Sequence, residues 1–482
     1  MCQVPGDAPI PHGEAEPERL IGDWRPLLVA ALLTCVLALY NQFPLTYSDT
    51  GNYLDNARDL VHGHRPWFFF RPLTYGVFLV PFANSFTLWL LPVAQGLLVA
   101  GVVDLTLRSA GISLSGRTLV GLFAVLSLVT SLSWFSGQIM PDIFTPIVIL
   151  LSFVLVWAPI SGARTVWPAF ALLSFAIAMH LSHFPLYGVL LLAGLGARLV
   201  TDPEVRSWRR GRLLALRAGG PLAVAILVVV APNYVFHRQL VLSRSSSIFA
   251  LAHLVEVGAA QRYLDRVCPV RQYVLCAERA ELRADTDWFM WSTSGPRARS
   301  ERAMARGDST FLREAPFIVA GTLRQEWPAV LGRSVRAAAK QLGTFGIHPG
   351  EHSFSASVAA SMERLGPGTA RAYRASRQVN GALPTVAATR LHYAAVGAAL
   401  LALLWSLPRL GGARHRRFRV LVATVGLGLV VNAAVLASLS TVHPRYQSRV
   451  VWLVVLVGAV AALRALEDRR AERRPASTPS GS

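Results

Sequence analysis

The chain has 482 residues, of which 53% are hydrophobic and only 15% charged, with a mean hydropathy of +0.43. A soluble domain usually carries about 25% charged residues, so this composition excludes an ordinary soluble enzyme and points to an all-α polytopic membrane protein. The formal net charge of +20 comes almost wholly from Arg, with Lys340 the single Lys; these charges sit between or after apolar runs, as in loops anchored at membrane lipid, and no basic module of the nucleic-acid-binding kind appears.

Residues 1–25 are polar and partly acidic and read as an N-terminal tail. They lack a basic n-region and a cleavage site, so the apolar run 26–43 is a retained helix rather than a signal peptide. A first outer loop, 44–72, follows. Within it Tyr53, Leu54, Ala57, Leu60 and Val61 recur at helical spacing opposite Asn52, Asp55, Asn56 and Asp59, which predicts an amphipathic surface helix. His62-Gly63-His64 ends it. Residues 73–86, interrupted by Pro81 and Asn84, read as a second surface or re-entrant helix. Spans are expected at 88–107, 118–133, 142–158, 166–182, 184–200 and 219–236, completing a core over 26–236.

The polar region 237–390 contains no span and reads as a mostly helical extracytoplasmic domain or cap. It opens on an amphipathic stretch, 247–265, and its Trp288, Phe289 and Trp291 either fill a small core or touch the interface. Three C-terminal spans, 391–407, 420–438 and 450–465, lie within 391–466, and the Arg- and Pro/Ser-rich tail 467–482 reads as disordered. The count is about ten spans. Basic residues concentrate in 108–117, 201–218, 408–419 and the tail, while 134–141, the turn at His183 and 439–448 carry few. The positive-inside rule then puts both termini in the cytoplasm. The loops at 44–72, 134–141 and 439–448 share the outer face with 237–390.

Asp49 lies just beyond the first span among small polar neighbours. It is read either as a general base or as the cap of the following helix, which Ser48 or Thr50 could equally provide. Asp55 and Asp59 flank Arg58 and read as solvated or paired charges, with Asp55 also a candidate second acidic group for the acceptor. Asp142 opens a span at the same expected depth as Asp49, either as a helix-start residue or as a second acidic group for an acceptor or metal. His443, Arg445, Tyr446 and Arg449 form the last outer loop. With Arg71, the two arginines read as a phosphate-binding set or as interfacial anchors.

Cys268 and Cys276 are expected to form a local disulfide if their compartment is oxidising; Cys2 and Cys35 lie elsewhere, and no metal-type CxxC occurs. The His348-to-His352 spacing mimics a zinc-protease motif, but Pro349 and Gly350 would break the helix it needs. His180 and His183 read as packing or interfacial groups. No phosphate-cradling glycine loop or nucleophile elbow is present.

The combination Ser48-Asp49-Thr50-Gly51-Asn52-Tyr53, Gly63, Arg71-Pro72-Leu73-Thr74-Tyr75 and the late Pro444-Arg445-Tyr446 resembles the C-type glycosyltransferases. These membrane enzymes use polyprenyl-phosphate sugars and include the protein mannosyltransferase, aminoarabinose transferase and lipopolysaccharide core-sugar transferase groups. The resemblance implies a multi-pass protein of the bacterial inner membrane with its site on the extracytoplasmic side. It implies Asp49 as base, a polyprenyl-phosphate sugar as donor with its phosphate held by Arg, and a lipid, glycan or protein as acceptor, with inversion at the anomeric carbon. Thr50 stands where many members carry a second acid, which weakens any carry-over of a divalent cation. A lipid-linked glycan polymerase or ligase and a non-enzymatic flippase are the competing classes. Charges at the lip rather than the midplane speak against the latter.

Overall fold

The computed structural model describes residues 24–66, 68, 70–158, 163–348 and 353–473. Most of the two expected tails, Cys2, Trp67, Phe69 and residues 349–352 lie outside the described residues. The protein is 76% helical, and the described residues hold no strand; the one isolated bridge pairs Leu45 with Gln138.

Among the described residues seven helices are long and apolar enough to cross a membrane: Trp24–Asn41, Leu90–Ser109, His183–Thr201, Trp208–His237, Thr385–Ser406, Arg416–Leu439 and Pro444–Glu472. The remaining expected spans appear as shorter apolar helices, Gly116–Val129, Pro141–Trp157 and Val166–Ala178. Every residue from Phe144 to Val156 is buried. A helix apolar on all sides belongs at the centre of a bundle, and this one packs against six of the others.

Several boundaries differ from expectation. The first span breaks at Cys35 into Trp24–Thr34 and Val36–Asn41. Helix Trp208–His237 begins inside the expected basic loop, so Arg209, Arg210, Arg212 and Arg217 are helical. The last helix runs to Glu472, past the expected start of the disordered tail. It is held there by Arg464 on Glu467 at 2.9 Å and by His415 on Asp468 at 3.0 Å. The expected loop 134–141 is instead a buried turn of helix, Leu132–Ser136, followed by the start of the central helix. The stretch 73–86 forms only Thr74–Leu79 and a short turn, Val80–Phe82.

The helix at Thr50–Val61 does not lie on a surface. Thr50, Gly51, Tyr53, Leu54, Asn56 and Ala57 are buried, because Thr74–Leu79 and Ala356–Leu365 pack against it. Gly51 makes the second contact feasible: a Cβ there would stand 2.9 Å from the carbonyl oxygen of Ser357.

The polar region contributes to two cores. Helices Ser246–Glu256, Ala259–Val267 and Thr286–Trp291 gather around Leu251, Leu264, Phe289 and Ile318, with Phe70 from the first loop. Phe345, Val358, Met362 and Tyr373 belong to the main core instead. Helix Thr310–Gly343 packs on Ser246–Glu256, Ala259–Val267 and Arg416–Leu439. Cys268 and Cys276 are disulfide-bonded, their Cα atoms 5.6 Å apart.

The basic segments meet at one end of the bundle. Arg416 bonds the carbonyl of Thr201 at 3.1 Å, Arg464 that of Ser113 at 3.5 Å, and Arg414 pairs with Asp468 at 3.4 Å. Asp49, Asp142 and Arg445 lie at the other ends of their helices.

Candidate functional site

Backbone pairing brings the first loop to the turn before the central helix. Leu45 N–H donates to Gly137 O at 2.9 Å, and Ile139 N–H donates to Leu45 O at 2.8 Å. Thr50 Oγ1 accepts from Tyr47 N–H at 2.9 Å and donates to Ile139 O at 3.0 Å. Gln95, fully buried, holds the same turn by donating to Ser136 O and Gln138 O at 2.8 and 2.9 Å. From the far part of the chain, Gln378 donates to Thr46 O at 2.8 Å. These seven hydrogen bonds fix the first loop and the turn it pairs with, and so the backbone that presents Asp49.

Asp49 occupies the N-cap position of helix Thr50–Val61, yet its side chain makes no capping bond. It meets Arg71 Nη2 through Oδ2 at 2.5 Å, and Oδ1 makes no hydrogen bond among the described residues. The pair is mostly covered, with side-chain exposures of 21% and 17%. Burial opposes the charge on Arg71, but the Asp49 carboxylate overrides it and holds the guanidinium above its ordinary value.

Asp142 is buried and engages both late arginines. Arg445 Nε reaches Oδ1 at 3.2 Å, its Nη2 contacts Oδ2, and Arg449 Nη1 reaches Oδ1 at 3.3 Å. Arg445 lies 3.7 Å over the ring of Tyr47. Arg449 also donates to Asn432 Oδ1 at 3.1 Å and to Ser182 Oγ at 3.4 Å. The helical spacing of Arg445 and Arg449 therefore points both guanidiniums at one carboxylate. Three guanidiniums face two carboxylates here, leaving one positive charge over. The Tyr53 hydroxyl, buried and without a partner, feels Arg71, Asp49, Asp142 and Arg445 together. Burial raises its pKa, with Arg71 opposing, so it remains a neutral phenol.

Of the other expected residues, Tyr446 sets its ring 5.9 Å from the Arg449 guanidinium at the edge of this cluster, and Asp55 falls outside it. Asp55 binds Arg364 Nε at 3.0 Å and Ser361 Oγ at 3.0 Å, tying Thr50–Val61 to Ala356–Leu365. Tyr446 bonds Ser440 at 3.0 Å through its hydroxyl. His443 uses its backbone: its N–H donates to Gln341 Oε1 at 2.8 Å and its carbonyl accepts from Gln341 Nε2 at 2.9 Å. His183 is buried and bonded to Thr145 and Ala176, as a packing residue would be. Trp291 divides the two earlier alternatives: Phe289 fills the core, whereas Trp291 is 45% exposed and meets Arg71 at 5.7 Å. Sequence reasoning missed Tyr47, Ser182 and Asn432. Only Tyr47, two residues before Asp49, left a local signal.

Burial, then the nearby Arg445 and His348, push the His443 imidazole down to about 4 from its ordinary 6.5. Between those values the folded protein binds fewer protons than the unfolded chain, so stability is complete above about 6.5 and falls as pH drops toward about 4. Thermal unfolding midpoints measured across that interval should show the decline, and His443→Gln should lessen it.

Among the described residues no three His, Cys, Asp or Glu side chains converge as metal ligands. Asp49 and Asp142 are each held by a guanidinium, and Asp49 keeps one carboxylate oxygen unengaged. No family model, curated protein or solved structure matches this chain.

Proposed function

We propose that the protein is a glycosyltransferase of the bacterial inner membrane that moves a sugar from a polyprenyl-phosphate donor to an acceptor hydroxyl. The carrying observation is the Asp49–Arg71 pair at 2.5 Å beside a buried surplus of guanidinium charge. A carboxylate with one unengaged oxygen can take a proton, and the surplus charge can receive an anionic leaving group.

The acceptor oxygen attacks C1 of the sugar while Asp49 Oδ1 accepts its proton. The C1–O bond to phosphate breaks, and the electron pair departs on the phosphate oxygen toward Arg71 and Arg445. A single base, with attack opposite the leaving group, inverts the anomeric centre. No strong acid is needed, because the departing phosphate is already a stable anion.

The reading puts this site on the extracytoplasmic side, away from the end where Arg414, Arg416 and Arg464 gather. A topology reporter fused near residue 300 should then read as extracytoplasmic, and a cytoplasmic signal would reverse the orientation. The activity is tested by incubating purified protein in lipid with radiolabelled isoprenyl-phosphate sugars and following release of isoprenyl phosphate with label gained by the acceptor fraction. Absence of transfer from glucosyl, mannosyl, galactosyl and pentosyl donors, with envelope acceptors supplied, would refute the reading.

A further inference from the structure

Helix Thr310–Gly343 carries a face that the described residues leave uncovered. Its first half is tied to the smaller core: Phe311, Ala315 and Ile318 are buried there. Glu326 takes Arg262 Nε at 2.7 Å and Arg266 Nη2 at 2.5 Å. Its far end is tied to the bundle, where Gln341 bonds the backbone of His443 at 2.8 and 2.9 Å. The helix is seated on Arg416–Leu439, one of the membrane-crossing candidates. Away from these contacts Trp327, Leu331 and Val335 recur every fourth residue and are 60, 55 and 60% exposed. Residues at that spacing form one stripe, and a stripe this apolar marks a surface that something covers.

The charges select the occupant. From Trp327 to Gly343 the helix carries Arg333, Arg336 and Lys340 and no acidic residue, with Arg324 just before. All four are exposed, and none pairs with a carboxylate among the described residues. Elsewhere in the same region Arg262, Arg266, Arg299 and Arg364 are each matched to Asp or Glu. Arg336 follows Val335 directly, about 100° round the helix from it. An apolar stripe beside unmatched cations suits a bilayer interface, where the stripe enters the acyl chains and Arg and Lys reach up to headgroup phosphates. The seat on Arg416–Leu439 makes that stripe continuous with the bundle's perimeter, which lipid covers. We infer that helix Thr310–Gly343 rests in the lipid leaflet at the Asp49 end of the bundle, holding anionic phospholipid headgroups on Arg333, Arg336 and Lys340. Part of the region 237–390 is then seated in the membrane rather than standing above it in water. The inference holds whatever reaction the Asp49 cluster performs.

The test is electron paramagnetic resonance on the full-length protein in nanodiscs of phosphatidylethanolamine and phosphatidylglycerol. Cys2→Ser leaves Cys35, which is buried, as the one native thiol outside the disulfide. Nitroxides on Leu331→Cys and Val335→Cys should relax faster with oxygen than with a water-soluble nickel chelate. A nitroxide on Leu227→Cys, an exposed position of the spanning helix Trp208–His237, should do the same, and one on the exposed Ala305→Cys should show the reverse. Native mass spectrometry reads the headgroup. Replacing Arg333, Arg336 and Lys340 together by Gln should lose retained phosphatidylglycerol and leave phosphatidylethanolamine unchanged. Faster relaxation by the nickel chelate at Leu331 or Val335 would put the stripe in water. Shielding from both colliders would put it against protein, a second copy of the chain included. Either result overturns the assignment, as does phosphatidylglycerol retention that the triple variant does not change.

Discussion

Asp142→Asn is expected to destabilise the protein by about 3–5 kcal/mol, the usual cost of leaving a buried charge without its partner. The Asp142 side chain is 4% exposed, and those of Arg445 and Arg449 are 8% and 2% exposed. Asparagine would preserve the shape while leaving two guanidiniums buried without a counter-charge. Hydrogen bonds from Arg449 to Asn432 and Ser182 would remain but carry no neutralising charge. A loss of this size lowers the folded-to-unfolded ratio by roughly a hundredfold or more. Arg445→Met should cost less, about 1–2 kcal/mol, since Asp142 keeps Arg449 and the cluster becomes neutral. Denaturation of the purified variants in one detergent gives the order. If Arg445→Met proves as damaging as Asp142→Asn, packing rather than charge governs the cluster.

Asp49→Asn should lower sugar transfer about 100- to 10,000-fold, the range supplied by a positioned general base. The same change should cost only about 1 kcal/mol of stability, because asparagine keeps an oxygen for Arg71 and the pair is partly solvated. The separation of the two effects is the informative result. A capping residue would lose stability without a matching loss of rate, and the missing capping bond already argues against that role. Measuring transfer and the unfolding midpoint on one preparation decides the matter; wild-type rates in the variant would remove Asp49 from the chemistry.

The long apolar helices were legible because burial in lipid imposes a composition that any window of the chain displays. The Cys268–Cys276 bond was legible because its partners are eight residues apart. The arginine pair was half legible: helical spacing showed that Arg445 and Arg449 face one way, but not what they face. Their partner is Asp142, 303 residues from Arg445 in sequence. Asp55 shows the same limit from the other side, since its partner Arg364 is 309 residues away. The helix Thr50–Val61 is legible in its spacing, and its charges read as solvated or paired, but the sequence does not show what pairs with them. Within its polar stripe Asp55 is spent on Ser361 and Arg364 of Ala356–Leu365. Local pattern reveals which residues share a face and leaves open what covers it.

The pairing of the first loop with Gln378, and of Asp142 with the last helix, constrains the order of assembly. Residues near 46 must wait for residue 378 to be synthesised, and Asp142 must wait for Arg445. During synthesis the early helices are therefore inserted with an unmatched carboxylate and an unfinished loop. The cluster closes only when the C-terminal helix arrives. A chain truncated before residue 444 would carry most of its spans yet leave Asp142 without Arg445 and Arg449.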